Sequence, residues 1–551
     1  MDSIKNIDLV IIALMPLCSV LLWALANYAE KVRSSRWRIC WLVPAFLTAI
    51  LTYLAGFEKL MLPAYIAAAV FVIGLAKPEK KPRKIASVTA AVLGLTALPL
   101  CTLVGGYRIP DLVKNFNNGF NKIKAHYVLS EEKEIDWDAL YSKYLPQFEE
   151  AEKAHDKVRS EIVWTKFCAE FHDLHVNYIT DEETNKAAKK RAGGYDYGLV
   201  ITKLADGSFA AVQVDDSLKA KGIHNGTPVI SWNGISPAEA DKQSELYEMQ
   251  NYADEDNAKF YEGFFAAGTG GETAKLVYTD DDGVQQTIIL PKLNDDYYSR
   301  CKDAYETINQ GLNVGHMTVT KLNDTTACLR IKTMSFDSIS EKDDHAAMQK
   351  ELRENILAMK EQGVRDIVID IRENNGGSGS MVKAIAQLFA PEGEHYYVTD
   401  AYWDGTSHSY KSEGGGKWRT DHDIVFDGEN ILGDEGRIVV LVTAHSVSAA
   451  DHITKLMSDF DNTTIIGFTE SSGSAQGVTP TDLDLGMLSF SSSLMLNKDG
   501  SVFIDSGTDY QSGIEVDIKV PYDKQALTAL FDDGKDYLMD YSLEYLAELK
   551  R

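Results

Sequence analysis

The sequence is poor in cysteine, with six in 551 residues and no CxxC pair among them. Cys18, Cys40 and Cys101 lie in apolar segments, and Cys168, Cys301 and Cys328 are scattered. That spacing provides neither a zinc site nor a disulfide framework. The first hundred or so residues are net basic and the remainder is strongly acidic, so the formal charge of −26 is unevenly spread. Such a surface repels nucleic acid, and nucleic-acid binding is set aside. Phosphate signatures are missing too. The glycine-rich stretch ENNGGSGS (373–380) carries neither the Lys-Ser/Thr of a P-loop nor GxGxxG. No metal and no cofactor is expected.

Long apolar runs, by contrast, are present. Segments 8–28, 39–56, 60–76 and 86–104 each approach the length of about 20 residues that crosses a bilayer, and none carries an internal charge. The first is too long for a cleaved signal peptide, and soluble cores rarely string four such runs together. Four transmembrane helices over 8–104 are therefore expected, with the lipid bilayer as a partner. KVRSSRWR (31–38) and KPEKKPRK (77–84) mark the cytoplasmic loops. The N-terminus and everything after about residue 105 would then be extracytoplasmic, in a multipass protein of the cell membrane.

Beyond that region the periodicity changes twice. Residues 106–190 read as a helical cap: Leu140, Tyr144, Leu145 and Phe148 recur at helical spacing, followed by Ile162, Phe167, Cys168 and Phe171. From 192 to 292 apolar and polar residues alternate around an Asp-Gly turn, as in strands and hairpins. YGLVI (197–201) and GIHNGTPVISWNG (222–234) resemble a PDZ domain. That resemblance implies that Gly198, Leu199 and Val200 bind a peptide carboxylate while a partner chain pairs with an open sheet edge. An ordinary small β-domain is the alternative.

The last third alternates strand and helix. TACLRIKTM, VRDIVIDIR, GRIVVLVTA and NTTIIGF read as strands; HAAMQKELRENILAMKEQG, SMVKAIAQLF and SAADHITKLMSDF read as helices. Such a succession implies a largely parallel sheet with helical crossovers, whose ligands bind at the carboxyl ends of the strands. Two turns sit there, ENNGGSGS (373–380) and HSVSAA (445–450). The first suits a phosphate cradle, a plain turn, or an oxyanion hole built from the N–H of Gly376 or Gly377. In the second, Ser448 begins a helix after a buried strand. It is either a helix cap or a nucleophile with Ala449 N–H as a further oxyanion donor.

These segments resemble the catalytic core of the S41 serine peptidases, which comprise tail-specific proteases and tricorn-like enzymes. The family's Asp-Leu-Arg-Asn-Gly-Gly pattern is matched by Asp370, Ile371, Arg372, Asn374, Gly376 and Gly377, and its Ser-x-Ser-x-x-Asp/Glu elbow by Ser446, Ser448 and Asp451. The resemblance implies Ser448 as nucleophile and an α/β (ClpP/crotonase-like) core over 300–525, with a C-terminal helix over 526–551. The chain is thus expected to be multidomain: four transmembrane helices, helical cap, PDZ-like domain and S41 core. One departure stands out. Tail-specific proteases place a lysine base about two dozen residues after the serine, but no lysine or arginine lies between Lys455 and Lys498. The tricorn-like branch uses a histidine in an Asp-x-His segment, matched by Asp173 and His175. His175 is therefore the expected general base, with His172, His445 and His452 as competitors. The branch's orienting glutamate falls at Tyr510, leaving Asp509 as nearest acid and Glu470 as a further candidate. The resemblance implies an endopeptidase acting on polypeptides through an acyl-enzyme. A catalytically decayed peptide-binding sensor is the alternative.

Overall fold

The structure is a computed structural model that describes residues 111–310, 317–335, 345–404, 417–504 and 511–549. Nearly all of these belong to one compact unit beginning at Leu112. No helix among the described residues is long and apolar enough to cross a membrane. The longest have 17 residues and carry several charges, against the roughly 20 apolar residues a span needs. The four runs between 8 and 104 lie outside the described residues. The expected four-helix anchor, its bilayer contact and the cell-membrane placement have no helix among the described residues to support them, and the fold class is corrected to the α/β core with its attached layers.

The first layer is helical. Helices α1 (Leu112–His126), α2 (Trp137–Lys153) and α3 (Lys157–Ala169) precede a short strand β1 (Asn177–Ile179) and helix α4 (Glu182–Gly193). Asp136, Asp156 and Asp181 cap α2, α3 and α4 by accepting a backbone N–H three residues on. The apolar faces of α1, α2 and α3 meet β1 in an aromatic cluster in which Phe116 stacks on Phe148 at 4.3 Å and Trp164 on Tyr178 at 4.5 Å.

Strands β2 (Val200–Lys203), β3 (Phe209–Val212), β4 (Pro228–Trp232), β5 (Thr273–Thr279) and β6 (Gln285–Pro291) form an antiparallel sheet in sequence order, closed by helix α5 (Tyr297–Asn309). Leu199 and Val200 are fully buried. Gly198 donates its N–H to Asp196 and accepts from Asp215 N–H. With both backbone groups occupied and the neighbouring side chains in the core, nothing here supports the PDZ-like label or carboxylate binding at Gly198, Leu199 and Val200.

The third layer contains β7 (Met317–Lys321), β8 (Thr326–Ile331), α6 (His345–Glu361), β9 (Asp366–Asp370), α7 (Gly379–Phe389), β10 (Gly393–Asp404), β11 (Lys417–Gly428), β12 (Ile438–Val442), α8 (Ala449–Ser458), β13 (Thr463–Gly467), β14 (Gly477–Val478), β15 (Thr481–Leu483), β16 (Gly486–Ser489), β17 (Ser491–Leu496) and β18 (Ile518–Lys519). The central sheet runs β18-β13-β12-β9-β8-β7 and is parallel except for β7. Alternate residues face opposite cores, as a pleated strand requires. Ile367, Ile369, Val440 and Val442 pack with α6, α7 and α8. Val368, Val439, Leu441 and Ile466 pack toward the β-domain and the terminal helices α9 (Lys524–Phe531) and α10 (Tyr537–Glu548). A strand covered on both faces reads as an unbroken apolar run, which is why β9 and β12 were visible in the sequence. The expected single C-terminal helix is two, separated at Gly534, whose φ of 63° is left-handed.

Two pairings position the site. Strand β12 is hydrogen-bonded on both sides, by β9 and β13, so its carboxyl end is fixed. Strand β1 pairs with β16, which brings the chain beyond the helical cap beside the segment leading into β17.

Candidate active site

The nucleophile candidate stands where β12 ends. All five β12 residues are buried, each aliphatic side chain contributing roughly 1.5–3 kcal/mol. The hydroxyls that follow have structural roles. Thr443 Oγ1 donates to Arg372 C=O and Ser446 Oγ to Ile371 C=O, at 2.9 Å for the latter, so the turns after β9 and β12 are bonded together. Ser448 then adopts φ 63° and ψ −119°, a region L-residues rarely enter, and α8 begins at the next residue. This is the sharp strand-to-helix turn that exposes a nucleophile near the positive end of a helix. Asp451, one turn into α8, accepts the N–H groups of Ser448 (2.9 Å), Gly473 (2.8 Å) and Ser474 (3.2 Å). Burial pushes its carboxyl up to about 7 against the pull of Ser471 and these N–H groups.

The glycine turn packs against that serine. A Cβ on Gly376 would lie 2.5 Å from Ser448 Cβ and 3.0 Å from Oγ, so only glycine fits. Gly376 N–H donates to Asn374 Oδ1 at 2.9 Å, and Asn374 C=O accepts from Val447 N–H at 3.0 Å. Of the expected oxyanion donors, Gly376 N–H is thus already engaged. Gly377 and Ala449 N–H have no hydrogen-bond partner among the described residues. The turn is anchored from below by a buried charge network. Arg372 pairs with Asp370 at 2.7 Å and with Asp536, the cap of α10, at 2.7 Å. Burial opposes ionisation of Asp370, but Arg372 and Arg330 outweigh it and hold its pKa at about 2.

The base candidate follows α3. Asp173 accepts His175 N–H at 2.9 Å, forming a tight turn. The Asp173 carboxylate is fully buried and also accepts from Tyr127 OH (3.1 Å) and Ser491 Oγ (2.8 Å). His175 Nδ1 lies 3.4 Å from Ser491 Oγ and 3.9 Å from Asp173 Oδ1. Burial holds the imidazole below its usual pKa and Asp173 offsets this in part, so the ring is neutral at pH 7. Ser474 joins the two halves of the site. Its Oγ accepts Leu174 N–H at 2.9 Å and its C=O accepts Ser448 N–H at 2.9 Å. No hydrogen bond links Ser448 Oγ directly to His175 among the described residues, and no lysine contacts Ser448 there.

The competing histidines are differently occupied. His452 has both ring nitrogens engaged, by Tyr397 OH (2.6 Å) and Ala475 C=O (2.7 Å). His445 packs edge-on against Tyr305 at 4.5 Å, and burial pushes its pKa down to about 4. His172 is likewise pushed to about 4, by burial and Lys133. Asp509 lies outside the described residues. Glu470 packs against Gly513 and has no bond to His175; burial and Asp254 push it up to about 7. Reasoning from the sequence missed Ser491 and Asp173 as neighbours of the His175 ring and Ser474 as the partner of the adjoining Leu174 N–H. Asp173 was in view as half of a motif, but the two serines sit 316 and 300 residues from the positions they contact, and no local signal marks them. No cluster among the described residues could hold a metal ion.

Residues 325–520 match Peptidase family S41. Among solved structures, a CPAF s499a mutant is similar with a TM-score of 0.52 at 13% identity, covering 78% of this chain and 96% of that one. Mature CPAF complexed with lactacystin gives 0.49 at 13% identity, covering 80% and 98%. The photosystem II D1 C-terminal processing protease gives 0.33 at 16%, covering 77% and 98%. At 13% identity the likeness to the CPAF s499a mutant is one of fold.

Proposed function

The chain is a serine-type peptidase of family S41, its family domain spanning residues 325–520, and from that premise we propose that it hydrolyses polypeptides through an acyl-enzyme with Ser448 as nucleophile and His175 as base. One observation supports this most: Ser474 is bonded to the nucleophile's backbone and to the base's turn at once. Ser448 Oγ attacks the scissile carbonyl and passes its proton to the Nε2 of a neutral His175. The oxyanion that forms is met by the N–H groups of Gly377 and Ala449 at the start of α8. The intermediate collapses, the amine leaves with the proton from His175, and water attacks the acyl-enzyme by the same route in reverse.

In this reading the orienting acid is Asp173 rather than Asp509. Its carboxylate stabilises the imidazolium both across 3.9 Å and through the Ser491 hydroxyl. Ser448→Ala and His175→Ala should each lower casein cleavage by about 10⁴-fold or more with the fold intact. Full activity in His175→Ala would remove the base assignment.

The missing direct bond between Ser448 Oγ and His175 favours a second reading, a peptide-binding sensor that no longer cleaves. The wild-type chain would then leave casein intact while still retaining peptides.

A further inference from the structure

Three features of the structure lie outside the reaction. Glu373 beside the glycine turn has a buried, unpartnered Oε1 but is itself only partly buried, and nothing shows what would fill the space. The exposed Ile289 on edge strand β6 has no visible occupant. The third is a clasp between the β-domain and both halves of the active site, and it carries further.

The segment between β4 and β5 leaves the β-domain sheet and returns to it. On the way, Asn251 meets the turn that holds His175. Its Oδ1 accepts Asp173 N–H at 3.0 Å, and its Nδ2 donates to Asp173 C=O at 2.5 Å and to Val176 C=O at 3.1 Å. One N–H and two carbonyls leave a single orientation for the amide, because a flipped side chain would oppose like groups. Three hydrogen bonds from one side chain thus fix the backbone on either side of the base. A few residues on, the same segment grips the opposite half. Asn257 Nδ2 donates to Ser471 C=O at 2.8 Å, and Asp254 Oδ2 accepts Gly513 N–H at 3.2 Å while its Oδ1 caps the following helical turn. Ser471 begins the 471–474 turn that reaches Ser448 through Ser474 and Asp451.

We propose that Asn251 is a positioning residue for the reaction: it fixes the imidazole of His175 relative to Ser448, and the β-domain acts on catalysis through it. The proposal rests on His175 being the base. Asn251 touches no reacting atom, so its loss should act on the rate of the chemical step rather than on substrate affinity. A displacement of the base by about 1 Å is enough to lower a rate about 100-fold.

The test is a double-mutant cycle on the full chain, with labelled casein as substrate and thermal unfolding as a fold control. Asn251→Ala should lose 10- to 100-fold in kcat with KM changed less than twofold. The combined Asn251→Ala/His175→Ala variant should be no slower than His175→Ala alone, since a residue acting through the imidazole has nothing left to act on. Full activity of a folded Asn251→Ala, or multiplicative losses in the double variant, would overturn the proposal. If Asn251→Ala does not fold, Asn251→Asp decides. It retains an acceptor for Asp173 N–H, gives up both donations, and should show the same loss in kcat; unchanged kcat overturns the proposal. Full activity of His175→Ala is a separate outcome, which removes the base assignment and this inference with it.

Discussion

The backbone at Ser448 offers a stability measurement that is independent of turnover. An L-residue held at φ 63° and ψ −119° costs about 1–3 kcal/mol. Glycine adopts that conformation without strain, though its extra freedom in the unfolded chain costs about 0.5–1 kcal/mol. Ser448→Gly should therefore be more stable than Ser448→Ala by about 1 kcal/mol, although both lack the nucleophile. Comparing these two variants cancels the loss of the hydroxyl. The assay is urea unfolding followed by tryptophan fluorescence, with slope and midpoint fitted for each variant. Equal slopes and a higher midpoint for the glycine variant are expected. An alanine variant as stable as the glycine variant would mean that the elbow is not strained, and the account of why Ser448 is presented at the sheet edge would fail.

Other consequences follow from the same contacts. Because burial lowers the His175 pKa, protonation should block the base only as pH falls below 6.5, so the acid limb of kcat/KM lies below that value; a limb above pH 7 would indicate an ammonium base instead. Ser491→Ala removes the hydroxyl between Asp173 and Nδ1 and should lower kcat about tenfold, near 1.4 kcal/mol; an unchanged kcat in a peptidase assay would contradict the proposed relay. Asp370, held at about 2 against an ordinary 3.8, should contribute about 2 kcal/mol of stability at neutral pH that is lost as pH falls from about 4 to 2. The stability gap between wild type and Asp370→Asn should narrow accordingly, and a gap that stays constant with pH would refute the network's role.

What the sequence made legible follows from the range of each interaction. Strand β12 is apolar throughout and β9 is apolar between its terminal aspartates because both faces are covered, and α8 shows its buried face at helical spacing, so local periodicity located them. Ser448 and Gly376 were visible because their roles are set by backbone geometry within a few residues. The long β10–β11 hairpin was not read, and its pairing with β17 joins segments about a hundred residues apart. Ser491, Ser474 and Asn251 reach the segment around His175 only because β1 pairs with β16 and a β-domain segment crosses there. None of these is encoded within a window of the chain. Gly376 shows the limit of motif reading, since Asn374 occupies its N–H and leaves the free donor one residue on. The apolar runs before residue 105 suggested a membrane bundle, for which no described helix has the required length and apolarity.

The central claim is that Ser448 is an activated nucleophile, and covalent labelling with a fluorophosphonate followed by peptide mass spectrometry tests it most directly. The adduct is predicted on Ser448 alone, absent in Ser448→Ala and formed far more slowly in His175→Ala. A folded wild-type chain that stays unlabelled, or carries the adduct on another serine, would contradict it.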